Sequence, residues 1–213
     1  LAILKAGKTQ RGLRAVISHT GSLTSEGTVF EAACRQSGAI VAQSLRELFS
    51  LAKLFHSGIK KPLRKLAVLT NGGGPSIDAA DLIDLAPTLE LPELSAGTKE
   101  ALRKVLPPMA AVGNPIDIIG DALASRYEAA LRILTLEKDI DGIIVILTPQ
   151  KMTEVEATAR LLLKYRKQRP LIPIFMGGQA LRKGERVLRE GGLPAFAYPK
   201  DVVEALALMS LEK

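Results

Sequence analysis

Tryptophan is absent from these 213 residues, aromatic residues make up 4%, and the chain has one cysteine and two histidines. With Cys34 alone there can be no disulfide framework and no cysteine-based metal site. A lone thiol fits a reducing compartment, so a cytoplasmic protein is expected. No apolar run approaches the roughly 18 residues of a membrane helix, and no signal peptide is visible. Acidic residues are in deficit: 29 Lys and Arg stand against 22 Asp and Glu, a formal net charge of +7. The basic residues are spread along the chain among acids, with no aromatic interleaving, which argues against nucleic acid. The same charge suits small anions such as nucleotides, phosphate or an acyl-thioester carrier.

What is present is ordinary for a water-soluble globular chain: 47% apolar and 24% charged residues. The first residues, "LAIL", already have the pattern of a buried strand. A strand at residue 1 leads us to expect a fragment, or one subunit of a divided protein. "LAILK" predicts a strand, "AGKTQRGLRA" a polar loop, and "VISHTGSLTSEG" (16–27) a second loop holding His19. A helix is expected from Thr28 to Ser37, with Val29, Phe30, Ala33 and Cys34 on its inner face and Gly38 ending it. "AIVA" (39–42) predicts a short strand. A helix from Ser44 to His56 should carry a capping box, Ser44 with Glu47, and an inner stripe of Leu45, Leu48, Phe49, Ala52 and Phe55. Residues 1–57 therefore look like the C-terminal part of one α/β domain.

From residue 58 a complete pattern follows. Strands are expected at 65–70, 89–91, 142–147, 171–176 and 194–198, with helices between and after them. "PPMAAVGNPIDI" (107–118) is expected to be irregular. Strands alternating with helices predict a parallel sheet with helices on both faces, in the flavodoxin-like order 2-1-3-4-5. Residues 58–213 are thus expected to form a complete flavodoxin-like domain.

Two stretches carry chemistry. "TNGGGPS" (70–76) follows a strand and opens a helix. Glycines let the backbone approach a ligand closely, and a helix N-terminus offers free N–H groups and the positive end of its dipole. A tight strand-to-helix turn is the plain alternative, but one glycine would suffice for it. The dinucleotide fingerprint is excluded, because Ile77 stands where its third glycine is required. "AGKT" (6–9) is not a Walker A loop, because the first glycine would fall on Ala2. His19 lies among small polar residues, where packing rarely wants an imidazole. It is either a structural loop residue or a nucleophile, since imidazole forms covalent intermediates and is largely neutral near pH 7. No second His or Cys lies near enough in sequence to suggest a metal site. Thr20, Gly21 and Ser22 would give a phosphoryl group on His19 small neighbours and donors. "GNPIDI", "TPQKM" and "FMGG" sit at loop positions, where Asn114 before Pro115 is held extended and Asp117 could be a simple cap.

Taken together, "KAGKTQRGLRAVISHTGSLTSEGTVFEAACRQSGAIVAQSLRELF", "VLTNGGGPSIDAADLID", "AAVGNPIDI" and "ILTPQKMT" resemble, in this order, the NDP-forming acyl-CoA synthetases. That family includes ADP-forming acetyl-CoA synthetase and, more distantly, succinyl-CoA synthetase. The resemblance implies an acid–thiol ligase that converts acyl-CoA, ADP and phosphate to the free acid, CoA and ATP. It implies that His19 carries the phosphoryl group between an acyl phosphate and ADP. It implies that Asn71, Gly72, Gly73, Gly74 and Ser76 form one of two helix-N-terminal cradles for that group. CoA, ATP or ADP, and Mg2+ would be bound by parts outside this chain: a CoA-binding Rossmann domain and an ATP-grasp domain or subunit. An oligomer is expected, and the fragment alone should be inactive. Two other readings stay open. One is the synthetase-like regulatory region of a protein lysine acetyltransferase, which typically lacks the histidine. The other is a small-molecule sensor domain.

Overall fold

The computed structural model describes residues 1–21 and 27–211. Ser22, one of the expected phosphoryl neighbours, lies outside the described residues. Among the described residues no helix is long and apolar enough to cross a membrane.

The first segment is a small parallel pair. Strand β1 (Ala2–Leu4) runs beside β2 (Ile40–Ala42), with Ala2 opposite Ile40 and Leu4 opposite Ala42. Helices α1 (Gln10–Thr20) and α2 (Gly27–Ser37) lie between them in the chain. The expected polar loop before His19 is therefore corrected: residues 10–20 are helical. Thr9 caps α1, its hydroxyl accepting from the Gly12 N–H at 3.1 Å, and Gly21 closes it at φ 67° with its N–H donated to Ile17 O. Leu13, Val16 and Ile17 supply a helical spacing that the flanking glycines disguise. In α2, Cys34 is buried, whereas Val29 and Ala33 are exposed, so the expected inner face is narrower than predicted.

Helix α3 (Leu45–His56) begins as its sequence implies. The Ser44 hydroxyl accepts from the Glu47 N–H at 3.2 Å, and the Glu47 carboxylate accepts from Gln43 N–H at 2.7 Å. Its buried residues are Ser50, Leu51 and Leu54, not the expected stripe; Leu45, Phe49 and Ala52 are exposed. The apolar residues of the helix spread over more than half of its circumference, so its docking position selects which of them are buried.

The main sheet has four parallel strands in the order β4-β3-β5-β6: β3 (Leu66–Thr70), β4 (Ile116–Asp117), β5 (Gly142–Leu147) and β6 (Leu171–Phe175). Two expected strands, 89–91 and 194–198, are reduced to single bridges, Glu90 to Lys65 and Phe196 to Ile174. A short strand forms instead within the stretch expected to be irregular. Glu90 and β4 share the row beside β3, and Phe196 begins a fifth row beyond β6. Counted by rows, the order is 2-1-3-4-5. The gap between Glu90 and β4 is filled by a side chain. Asn114 accepts from Val68 N–H at 3.0 Å and donates to Leu66 O at 2.8 Å and to Pro92 O at 3.1 Å, replacing the missing ladder bonds.

Helices cover both faces. On one lie α5 (Ala96–Val105), α6 (Ala124–Leu134), α7 (Val155–Tyr165) and α8 (Arg182–Glu190), packed around Leu102, Tyr127, Leu131 and Leu162. On the other lie α4 (Gly73–Asp84) and α9 (Pro199–Ser210), around Ile83, Val202 and Leu206. Strand β5 feeds both cores: Ile143, Val145 and Leu147 face one, Ile144 and Ile146 the other. Leu51 and Leu54 of α3 join the α4–α9 core, and α3 packs on α9.

Candidate functional site

The loops at the carboxyl ends of β3, β4, β5 and β6 converge, the position where open parallel sheets bind ligands. Asn71 follows β3 directly and is buried. Its side-chain N–H donates to Thr148 O at 2.9 Å, and its oxygen accepts from the Thr148 N–H and hydroxyl at 2.8 and 3.0 Å. The carboxamide thus ties the end of β3 to the loop after β5. Tyr127, fully buried, adds a second tie, its hydroxyl donating to Ile146 O at 2.9 Å. Burial pushes the Tyr127 phenol well above its ordinary range, against the opposing effect of the Asn71 backbone N–H. It therefore stays a donor at any working pH. The loop after β6 is pressed onto the same assembly: a Cβ on Gly177 would lie 2.5 Å from Pro149.

On this platform the glycine turn opens α4. Gly72 is its N-cap. The Gly72 N–H donates to the Thr70 hydroxyl at 2.9 Å, which donates back to Gly72 O at 3.1 Å. A side chain at Gly72 would meet Thr148 at 3.0 Å. Ser76 is turned inward, its hydroxyl donating to Gly73 O at 2.7 Å. Pro75 brings no N–H. That leaves the amides of Gly73 and Gly74, both exposed, with no acceptor among the described residues. The start of α6 differs, because the Glu154 carboxylate accepts from Ala124 N–H at 2.9 Å.

One residue that the sequence presented only as a possible cap stands beside the open amides. Asp117 ends β4, and its Oδ2 lies 3.4 Å from where a Cβ on Gly73 would sit. Its Oδ1 accepts from Ile119 N–H at 2.8 Å. Ile119 has φ 69°, a left-handed conformation that costs a β-branched residue on the order of 1–3 kcal/mol. The segment is held by Ile118 N–H to Thr70 O at 2.8 Å and by Arg126 to Ile118 O at 2.9 Å, while Arg126 also pairs with Asp121. The "GNPID" stretch thus provides a ladder substitute, Asn114, and an oriented carboxylate, Asp117. Its spacing alone distinguished neither.

The sequence-predicted residues fall into two places. Asn71, Gly72, Gly73, Gly74 and Ser76 are together at the start of α4. Of these, Asn71, Gly72 and Ser76 shape the turn, and Gly73 and Gly74 leave donors open. His19, Thr20 and Gly21 are at the far end of α1, where His19 is exposed in the last turn and the Gly21 Cβ position meets nothing within 4 Å. None of the hydrogen bonds of Gly72 or Ser76 involves α1. Among the described residues no three His, Cys, Asp or Glu side chains gather as a metal site.

Residues 1–55 match the family described as succinyl-CoA ligase like flavodoxin domain, and residues 66–209 match the Ligase-CoA domain family. The chain is 37% identical over 210 residues to the alpha subunit of ADP-forming acetate–CoA ligase II of Pyrococcus furiosus, covering 95% of this chain and 45% of that protein. It is also 37% identical to ADP-forming acetate–CoA ligase I of Archaeoglobus fulgidus, over 98% of this chain and 30% of the relative. Among solved structures it resembles the dinucleotide-forming acetyl-coenzyme A synthetase 1 of Ca. Korarchaeum cryptofilum in complex with phosphate and ADP. That match has a TM-score of 0.84 and 26% identity, covering 98% of this chain and 46% of that one. The chain spans less than half the length of these relatives.

Proposed function

The chain belongs to the NDP-forming acyl-CoA synthetase family, and from that premise we propose that it carries the phosphoryl relay of such a ligase. In this reading His19 is the carrier and the first turn of α4 is one of its docking points. The observation that carries the reading is the pair of open amides, Gly73 and Gly74, at the carboxyl end of a sheet braced by Asn71, Tyr127 and Thr148.

The chemistry follows from what each group can do. An imidazole nitrogen of His19 attacks the phosphorus of an acyl phosphate. The P–N bond forms as the P–O bond to the carboxylate breaks, and the free acid leaves. In the second step an oxygen of the ADP β-phosphate attacks the same phosphorus, the P–N bond breaks, and ATP and the imidazole are released. While the phosphoryl group rests on His19, its charge needs donors that do not have to reorganise. Two fixed amides and a helix dipole meet that need, at about 0.3–1 kcal/mol per helix terminus and up to about 2 when partly buried. Thr20, Gly21 and Ser22, which follow His19 in the sequence, are small enough not to crowd the phosphorylated ring.

The relatives are ligases made of more parts than this chain spans. CoA, ATP or ADP and Mg2+ are therefore assigned to a CoA-binding Rossmann domain and an ATP-grasp domain or subunit, and no step above is routed through the metal. The exposed apolar residues Ile77, Leu123 and Met152 border the same end of the sheet and suit burial against such a partner. The acyl substrate is a carboxylic acid; several relatives are named for acetate and others for 4-hydroxybutyrate and trans-feruloyl-CoA. The regulatory and sensor readings would leave His19 without chemistry.

The test is phosphate transfer to the histidine. When the protein containing this chain is incubated with its partner domain, radiolabelled ATP and Mg2+, one acid-labile, base-stable phosphate is expected, located at His19. Label of the same stability persisting in His19→Asn would overturn the proposal.

A further inference from the structure

The fifth row is the last of the main sheet, and its outer edge is open. Phe196 turns both backbone groups inward: its N–H donates to Pro173 O at 2.8 Å, and its carbonyl accepts from Phe175 N–H at 2.9 Å. In an extended chain the residues on either side then turn theirs outward. The Ala195 and Ala197 N–H groups and the Ala197 carbonyl have no partner among the described residues. The Ala195 carbonyl accepts from the Lys53 ammonium at 3.0 Å and keeps a second lone pair. Two helices wall this edge. Lys53 of α3 stands on one side, its ammonium 5.0 Å from the Phe196 ring, and Glu185 and Arg189 of α8 stand on the other. Two hollows follow one another along the row. The first, of about 300 Å³, takes in Lys53, Arg189 and Pro194, and the second, of about 470 Å³, takes in Met176, Gly177 and Tyr198; Glu185 and Ala197 border both.

The hollows differ in chemistry. In the first, two cations face the single carboxylate of Glu185. Neither cation is matched with an acid among the described residues. Lys53 gives one of its three N–H donors to a carbonyl, and Glu190, next to Arg189 in the chain, is taken by Arg186. The second hollow is bordered by a thioether, an aromatic ring and glycine backbone. We propose that this edge is a strand-addition site for an extended segment of another polypeptide, one that carries an Asp or Glu and, two residues away, a large apolar side chain. The segment's backbone pairs with Ala195 and Ala197. Its carboxylate enters the first hollow between Lys53 and Arg189, and its apolar side chain enters the second beside Met176 and Tyr198. Alternate side chains of a strand point the same way, so a spacing of two suits hollows in succession. Main-chain bonds supply the affinity and the hollows supply the selection. Pro194 and Pro199 bound the row, which confines the pairing to residues 195–198. Edges meant for water alone are guarded by charge or a bulge in the strand itself. Here the outward positions are two alanines, and the nearest cation is bent onto the edge. Nothing in this site draws on the phosphoryl relay.

The probe is a capped peptide, acetyl-Thr-Glu-Thr-Leu-Thr-Thr-amide, titrated into the isotope-labelled 213-residue chain. The Ala195 and Ala197 amide resonances should move together at millimolar peptide and their exchange with solvent should slow, while the exchange of Phe196, already bonded, stays unchanged. Replacing the peptide's Glu by Gln should weaken binding about fivefold, the difference between a charge-assisted and a neutral hydrogen bond. In Lys53→Met, which keeps the apolar stem, that preference should fall to near unity. A peptide that alters neither amide would overturn the proposal, and so would equal binding of the Glu and Gln peptides. A preference for Glu that survives in Lys53→Met would put the acid somewhere other than the first hollow and overturn the site. If the two amides instead move with protein concentration alone, and sedimentation shows a dimer, a second copy of the chain covers the edge and the proposal is wrong. Should Lys53→Met not fold, the comparison of the two peptides on the unmodified chain still decides.

Discussion

At the scale of single residues, the three consecutive glycines have different duties. Gly72 is the most tightly placed, since a Cβ there would press on Thr148 at 3.0 Å, whereas at Gly73 the nearest atom is Asp117 Oδ2 at 3.4 Å, and at Gly74 nothing lies within 4 Å. If the turn only needed flexibility, the last two could be replaced at little cost. If the amides dock a phosphoryl group, side chains there would crowd it. Gly73→Val is expected to slow phosphohistidine formation roughly 10- to 100-fold, equivalent to about 1.4–2.7 kcal/mol of lost transition-state stabilisation. Gly74→Ala should keep or slightly raise the melting temperature, because alanine suits a helix better than glycine. Rate and thermal stability measured on the same preparation separate the two views. A normal labelling rate per folded Gly73→Val molecule would reduce these glycines to turn-makers. The sequence placed the glycines correctly but gave no means of ranking them, because the ranking depends on Thr148 and Asp117, far away in the chain.

At the scale of elements, legibility follows how local the determining contacts are. Strand β5 was readable because six unbroken apolar residues admit burial on both faces, and α3 because Ser44 and Glu47 are four residues of self-contained capping chemistry. Helix α1 was missed because its cap, Thr9, is embedded in a glycine-rich polar run that imitates a loop. Strand β4 was missed because it is two residues long and exists only through Asn114 plugging the row beside it. The start of α5 has a similar non-local support, and it leads to a prediction. Glu137 is buried. Burial pushes its carboxyl upward, but hydrogen bonds from the Ser95 hydroxyl and N–H and from neighbouring groups outweigh this and bring it from 4.5 down to about 2. A carboxyl lowered in the folded state contributes stability that is complete above its unfolded value and is lost as pH falls through the folded one. The stability contributed, on the order of 3 kcal/mol at about 1.4 kcal/mol per pKa unit, should therefore disappear between about pH 4.5 and pH 2. Urea unfolding across that range should show a steeper acid decline in the parent than in Glu137→Gln. Parallel declines would mean that Glu137 is not the group responsible.

At the scale of the whole molecule, the question is whether the short first segment is an appendage or part of the core. The family matches break between residues 55 and 66, which suggests two units. The packing joins them. Leu51 and Leu54 of α3 are completely buried in the core that holds Ile83, Val202 and Leu206, and Arg46 pairs with Asp201 across the same contact. The Lys53 ammonium donates to Ala195 O at 3.0 Å and lies 5.0 Å from the Phe196 ring. The larger unit nevertheless contains a whole four-stranded sheet with helices on both faces within residues 58–213. We expect residues 58–213 to fold cooperatively, but with the α9 surface that α3 covers left exposed. Burying two leucines is worth about 1.5–3 kcal/mol each, and each kcal/mol moves the midpoint of a domain this size by about 2–4 °C. The truncated protein should therefore melt roughly 10 °C below the full chain and self-associate at high concentration through the uncovered apolar face. Residues 1–57 alone, with a pair of three-residue strands and three helices that lack most of their partner surface, should show no cooperative transition. Calorimetry and sedimentation on the two pieces decide the matter. An unchanged midpoint for 58–213 would make α3 a peripheral attachment, and a sharp melt for 1–57 would give it a core of its own. Either result would move the boundary away from the α3–α9 contact.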